Sequence, residues 1–172
     1  VHLGSLYAQF KPEPLFDGIA TWLSGRTDAL GAFELLFIGQ ISAQTQKVLD
    51  ERGLTRVTRV TGYVPHREAI EMCRRADTLL LALGTDAKMP RGWLPSKLFE
   101  YLALNRPILA YVADGEAASM VRTINGGYVV SQDDRRAIAR ILDDLFDRKM
   151  AHEKHVIPWQ NDAEAMKRLQ QA

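Results

Sequence analysis

Short apolar runs of strand length alternate with longer segments of helical period along nearly the whole chain, and this alternation constrains the fold more than any other feature. The runs fall at 2–7, 33–38, 57–61, 78–83, 107–112 and 127–130. Most are apolar at consecutive positions, so both faces of each strand need cover, which favours a mainly parallel sheet between two helical layers. Segments 13–30, 43–52, 67–75, 96–104, 116–124 and 134–149 supply those helices. In the first of them Leu15, Ile19, Trp22 and Leu23 recur at helical spacing, and Pro12 stands near the start, where a missing N–H costs least. The expected fold is α/β: a Rossmann-like, doubly wound, six-stranded, mainly parallel sheet with helices on both faces and right-handed crossovers. Ligands of such sheets sit beyond the carboxyl ends of the strands, so the loops after Tyr7, Ile38, Thr61, Leu83 and Val112 form the candidate site.

A chain of 172 residues, 47% of them apolar, can bury one substantial core and is short for two, so residues 1–172 read as a single domain. Its 22 basic and 21 acidic residues nearly cancel, which argues against nucleic acid or an anionic membrane as a partner. Cys73 is the only cysteine, so there is no disulfide framework and no cysteine-rich metal site; a cytoplasmic setting fits. No apolar run approaches the roughly 20 residues that cross a bilayer. Val1-His2-Leu3-Gly4 already reads as a strand, without an initiating methionine, so the chain reads as a piece of a longer protein. Residues 161–172, after Pro158-Trp159, read as a separate, weakly amphipathic helix suited to packing on a part of the protein outside this chain.

Several chemistries are disfavoured by what the residues lack. Gly4 is followed by Ser5-Leu6-Tyr7, so there is no Gly-x-Gly-x-x-Gly turn, no Walker-type Gly-Lys-Ser/Thr occurs, and the first strand ends without the acids of a receiver domain. His2, His66, His152 and His155 are scattered without metal-ligand spacing, which favours surface or capping roles, and no metal is assigned. Arg122, Arg135, Arg136 and Arg140 interleave with Asp133, Asp134, Asp143 and Asp144, the pattern of a solvated helix face.

The most informative stretch runs from Leu94 to Ala110. On a helix, Leu98, Phe99 and Leu102 fall on one face with Pro95, and Ser96, Lys97 and Glu100 on the other. A carboxylate at Glu100, within two turns of the helix start, can accept hydrogen bonds from two vicinal ribose hydroxyls, while free N–H groups at the start can meet a diphosphate. An ordinary solvated glutamate fits the same pattern.

The run Pro95-Ser96-Lys97-Leu98-Phe99-Glu100-Tyr101-Leu102-Ala103, followed by Arg106-Pro107-Ile108-Leu109, closely resembles the donor-binding motif of group 1 glycosyltransferases. The likeness extends to Leu3-Gly4-Ser5-Leu6-Tyr7 with Lys11, to 33–39, to Val60-Thr61-Gly62-Tyr63-Val64-Pro65, to 76–81, to Asn125-Gly126-Gly127-Tyr128 and to Trp159, so it covers nearly the whole chain. The resemblance implies one half of a GT-B fold: the C-terminal domain that binds a nucleotide-sugar donor, with an N-terminal acceptor domain elsewhere in the protein. It implies that Glu100 binds the ribose and that Lys11 stabilises the phosphates of the leaving group. Gly4, Ser5, Gly92, Trp93, Leu94, Ser96 and Lys97 would line the donor. It implies transfer with retention, no cofactor beyond the donor substrate and no obligatory metal, often at the inner face of the cytoplasmic membrane.

Two departures stand beside these matches. The position eight before Glu100, which in many members is the first acid of a Glu-x7-Glu pair and is assigned to the sugar, is Gly92 here. Ser5 stands where many members carry arginine, leaving phosphate binding to Lys11, to backbone N–H groups from Gly92 to Leu94, or to Lys88, Arg91 or Lys97. A 2-epimerase of nucleotide sugars and a catalytically silent nucleotide-sugar-binding module remain as alternatives.

Overall fold

The computed structural model describes residues 1–6, 11–84, 94–132 and 134–152. In chain order the elements are β1 (His2–Leu3), α1 (Glu13–Gly25), β2 (Leu35–Ile38), α2 (Ala43–Glu51), β3 (Thr58–Val60), α3 (His66–Arg75), β4 (Leu79–Ala82), α4 (Ser96–Ala103), β5 (Ile108–Tyr111), α5 (Glu116–Thr123), β6 (Gly127–Val130) and α6 (Arg135–Met150). Every strand pairing is parallel: β2 lies between β1 and β3, and β5 between β4 and β6. Successive residues of one strand enter different cores, as a doubly covered sheet requires. Leu35 and Phe37 of β2, Leu80 and Ala82 of β4, and Leu109 and Tyr111 of β5 pack with α1, α2 and α6. Leu36 and Ile38, Leu79 and Leu81, and Ile108 and Ala110 pack with α3, α4 and α5.

The strands form two three-stranded ladders rather than one continuous six-stranded ladder, set side by side at a seam between β1 and β4. The spatial order is therefore β3-β2-β1-β4-β5-β6, with its switch point at the seam. Val1 donates to Thr78 O at 2.9 Å, and Leu80 N–H donates to Val1 O at 2.6 Å. The next bond of a parallel ladder would join Leu3 N–H to Leu80 O. The hydroxyl of Tyr101 is inserted there instead, accepting from Leu3 N–H at 2.8 Å and donating to Leu80 O at 3.3 Å.

Three local expectations need correction. The first strand ends at Leu3, because Gly4 turns the chain with φ +99° before an isolated bridge pairs Leu6 with Ile41. The first helix stops at Gly25 and a separate 3-10 turn spans Thr27–Gly31. His2 is neither a surface nor a capping residue: it is fully buried, with Nδ1 2.9 Å from Leu80 O and its ring 6.1 Å from that of Phe37.

Candidate functional site

Three glycine-bearing turns leave the carboxyl ends of β1, β2 and β3, and together they outline a crevice of about 430 Å³ lined by Leu3, Gly4, Ser5, Ile38, Gly39, Gln40, Gly62, Tyr63, Val64, His66 and Ala69. Gly39, at φ +138°, lies so close to the first strand that a Cβ on it would stand 2.8 Å from Gly4 C and O. Only glycine permits both that backbone and that approach. Gly39 thus lets two strand ends crowd together and leaves the crevice open above them. Ser5 closes one edge, its Oγ accepting from Gln40 N–H at 3.4 Å. Tyr63 stands at the rim with 88% of its surface exposed.

Two side chains of α4 approach residues that line this crevice. The start of α4 follows Pro95, in extended conformation, so the helix begins at Ser96 with free N–H groups in its first turn. Leu98, Tyr101 and Leu102 are buried, and Phe99 is 38% exposed, so the inward aromatic is Tyr101 and not Phe99 as the helical spacing suggests. Burial at the seam pushes the Tyr101 phenol well above the usual tyrosine range, consistent with a structural hydroxyl. Ser96 is exposed at the helix start, and Leu94 packs at the edge of the core below it.

Lys97 and Glu100, one turn apart on α4, each approach a residue that lines the crevice, Gly4 and His66 respectively. Glu100 Oε1 lies 3.7 Å from Nε2 of His66, and about a third of the glutamate side chain is exposed. The Lys97 ammonium lies 3.5 Å from where a Cβ on Gly4 would be. Desolvation pushes its pKa down, and the charge of Glu100 opposes that shift. Beneath them His2 is held neutral, its pKa lowered to about 3 by burial and then by the charge of Lys97.

The structure therefore brings Gly4, Ser5 and His66 together in the crevice lining and sets Lys97 beside Gly4 and Glu100 beside His66, which the sequence marked only as a residue on the rim. Lys11, like Lys97 and Glu100, does not itself line the crevice: its side chain is exposed, and its carbonyl accepts from the Tyr111 hydroxyl at the end of β5 at 3.4 Å. Gly92 and Trp93, with Lys88, Arg91 and residues 161–172, lie outside the described residues. Cys73 is buried, and desolvation raises its thiol pKa, which disfavours the reactive thiolate. Among the described residues no helix is long and apolar enough to cross a membrane.

Comparison with known proteins places this crevice in context. Residues 16–160 match the family model of glycosyl transferases group 1. WcaL of Escherichia coli (strain K12), which carries the name of a colanic acid biosynthesis glycosyltransferase, is 26% identical over 110 residues, or 64% of this chain and 27% of WcaL. The chain thus spans about a quarter of the length of that relative. A solved C-terminal domain of a group 1 glycosyl transferase, LpcC from Francisella tularensis, has a TM-score of 0.63 at 16% identity, covering 89% of this chain and 77% of that one. HepE from Anabaena, solved in complex with UDP, has a TM-score of 0.64 at 16% identity, covering 97% of this chain and 44% of that one. At such identities these two structures speak for the fold.

Proposed function

The chain belongs to the group 1 glycosyl transferases, and on that premise we propose that it is the donor-binding, C-terminal domain of an enzyme that transfers a sugar from a nucleoside diphosphate to an acceptor. The observation that carries this reading is the position of Glu100, a partly exposed carboxylate on α4 at the crevice edge, beside the switch point of the sheet. A carboxylate is acceptor-only when ionised, so its two oxygens can receive both hydroxyls of a ribose. The base would then enter the crevice of Leu3, Ile38 and Val64, and the diphosphate would lie towards Gly4 and the first turn of α4, whose N–H groups favour an anion.

The chemistry assigned to this domain is leaving-group stabilisation. Negative charge builds on the diphosphate as the glycosidic bond breaks, and fixed donors aimed at that charge lower the barrier more than they tighten the ground state. The acceptor and the remaining polar groups would come from an N-terminal domain, and the sugar itself would be recognised without a first acid, since Gly92 stands in its place. Retention, independence of metal, and work on an envelope polysaccharide at the cytoplasmic membrane face belong to the same proposal, the last supported by the name that WcaL carries.

Calorimetric titration of the chain with UDP, GDP and ADP tests the reading. One diphosphate should bind, and Glu100→Ala should weaken it at least about tenfold, equivalent to about 1.4 kcal/mol. Binding unaffected by that substitution, or transfer catalysed by this chain alone, would overturn it. In the full-length enzyme, an isomerised donor formed without acceptor would show a 2-epimerase, and tight binding without turnover a silent module.

A further inference from the structure

The turn between α5 and β6 calls for residues whose chemistry works against it. α5 ends in a Schellman motif: Asn125 N–H donates to Arg122 O at 3.1 Å and Gly126 N–H to Val121 O at 3.0 Å, with Asn125 in the left-handed region at φ +50°. Asparagine suits that place because it enters the left-handed region more readily than most residues with a Cβ. Glycine is favoured at the next position and required at the one after. A Cβ on Gly126 would stand 3.2 Å from the Ile124 side chain, and one on Gly127 would stand 2.1 Å from Ile108 O. The turn thus sets an asparagine before a glycine, and with no side chain to shield it the Gly126 nitrogen is open to attack the asparagine amide.

We propose that Asn125 is a latent site of spontaneous deamidation, closed in the folded turn and opened when the last turn of α5 frays. In the step itself the Gly126 nitrogen loses its proton and attacks Asn125 Cγ; the new N–C bond closes a succinimide ring, and Nδ2 leaves as ammonia. Water then opens the ring at either carbonyl, giving aspartate, or isoaspartate with the main chain rerouted through Cβ and Cγ. Water is the only co-reactant, and nothing is oxidised or reduced.

The folded turn blocks the first step. Gly126 is buried and its N–H is committed to Val121 O, so the nitrogen keeps its proton while the motif is closed, although Asn125 itself is exposed. Breaking that bond frees the nitrogen, and the rate in the folded protein becomes the free-chain rate multiplied by the open fraction. The isoaspartate product cannot close the turn as before. Ile108 N–H donates to Gly126 O at 3.0 Å and Gly127 pairs with Ile108 in the β5–β6 ladder, so a main chain one atom longer just before Gly126 shifts that register. The Tyr128 hydroxyl, which donates to Asp144 at 2.6 Å, is displaced with it. Asn105 provides a contrast within the same chain: it too is left-handed, at φ +56°, but Arg106 follows it and shields the next nitrogen.

The test incubates the 172-residue chain at mildly alkaline pH, folded in buffer and unfolded in urea above its midpoint, and follows the tryptic peptide Thr123–Arg135 by tandem mass spectrometry. The unfolded chain should convert Asn125 to aspartate and isoaspartate well before it converts Asn105, and the folded chain should convert Asn125 at least about tenfold more slowly. Wild type aged in urea and then refolded should contain a fraction of lowered thermal midpoint that tracks its isoaspartate content, while Asn125→Gly, which keeps the left-handed freedom, should show a single transition throughout. Asn125→Asp, the other product made directly, should lose less stability than the isoaspartate chain, which separates the added charge from the longer main chain. The proposal falls if folded and unfolded chains convert Asn125 at the same rate, since the closed motif then gives no protection. It falls equally if the unfolded chain keeps the Asn125 amide as long as that of Asn105, if isoaspartate chains refold to the wild-type midpoint, or if Asn125→Asp is destabilised as much as they are.

Discussion

At the scale of single residues, the side chain that best shows how site and scaffold share one helix is Tyr101. Its ring fills the core between α4 and the sheet, and its hydroxyl serves the backbone of two strands at once. Tyr101→Phe keeps nearly all the volume but leaves Leu3 N–H without its acceptor, while Leu80 O still receives His2. The cost expected of a buried donor left unsatisfied is about 1–3 kcal/mol, read as a lower urea midpoint at unchanged slope. A midpoint equal to wild type would mean that Leu3 finds Leu80 O directly and that the inserted hydroxyl is not needed. Sequence spacing could not assign this role. In a helix as short as α4, Leu98 and Leu102 fix the buried stripe, but Phe99 and Tyr101 lie on either side of it, and apolarity alone favours the wrong one. Glu100 was legible because the stripe leaves it outside under either choice. His66 was not, because its approach to Glu100 joins residues on two helices that only the folded sheet brings together.

At the scale of elements, the strands and helices were legible because helical period and consecutive apolar runs are local signals, whereas the points where they stop depend on backbone conformation. β1 is cut short by the positive φ of Gly4, and α1 by the departure of Arg26 to φ −125°. The pairing of α1 with α6 was beyond any local pattern, since it joins segments more than a hundred residues apart. Gly18 of α1 is its closest point: a Cβ there would stand 2.7 Å from Ile138 Cβ and 2.8 Å from Arg135 O. Around that contact Asp17 pairs with Arg52 and Arg135, Trp22 donates to Asp143, and Arg26 binds Asp143 and Asp147 while lying 4.9 Å above the Phe146 ring. Gly18→Ala would gain roughly 1 kcal/mol of helix propensity. Overpacking against a rigid backbone carbonyl costs about 1–3 kcal/mol, and the surrounding ion pairs resist separation of the helices, so the net change should be destabilising. The measurement is the thermal midpoint, which should fall; a rise would show that the two helices move apart without loss.

At the scale of the whole molecule, the two half-sheets meet along a seam with few backbone bonds, so the side chains of His2 and Tyr101 do much of the joining. His2 makes that joint sensitive to acid. A carbonyl can only accept, so Nδ1 must carry the proton that is given to Leu80 O, and Nε2 is left as a bare acceptor with no partner among the described residues. Protonating Nε2 would bury both a charge and an unpaired donor, and the folded protein resists this until the pH nears the lowered value of about 3. In the unfolded chain the same imidazole takes up its proton near its ordinary value of about 6.5. Between those two values the unfolded state binds more protons, so stability from this residue is fully present above about pH 6.5 and is lost as the pH falls towards 3. Each unit of displacement corresponds to about 1.4 kcal/mol, so the loss should amount to several kcal/mol across the window. Carboxylates throughout the molecule also titrate there, and His2→Gln separates their share, because an amide can still donate to Leu80 O but does not titrate in this range. The variant should be less stable than wild type at pH 7, where its packing against Phe37 is poorer. Its urea midpoint should then fall less steeply between pH 6.5 and 4, so that the two curves converge. Parallel curves would mean that His2 gains a proton as readily in the folded protein as in the unfolded chain, and that the seam opens enough to admit water.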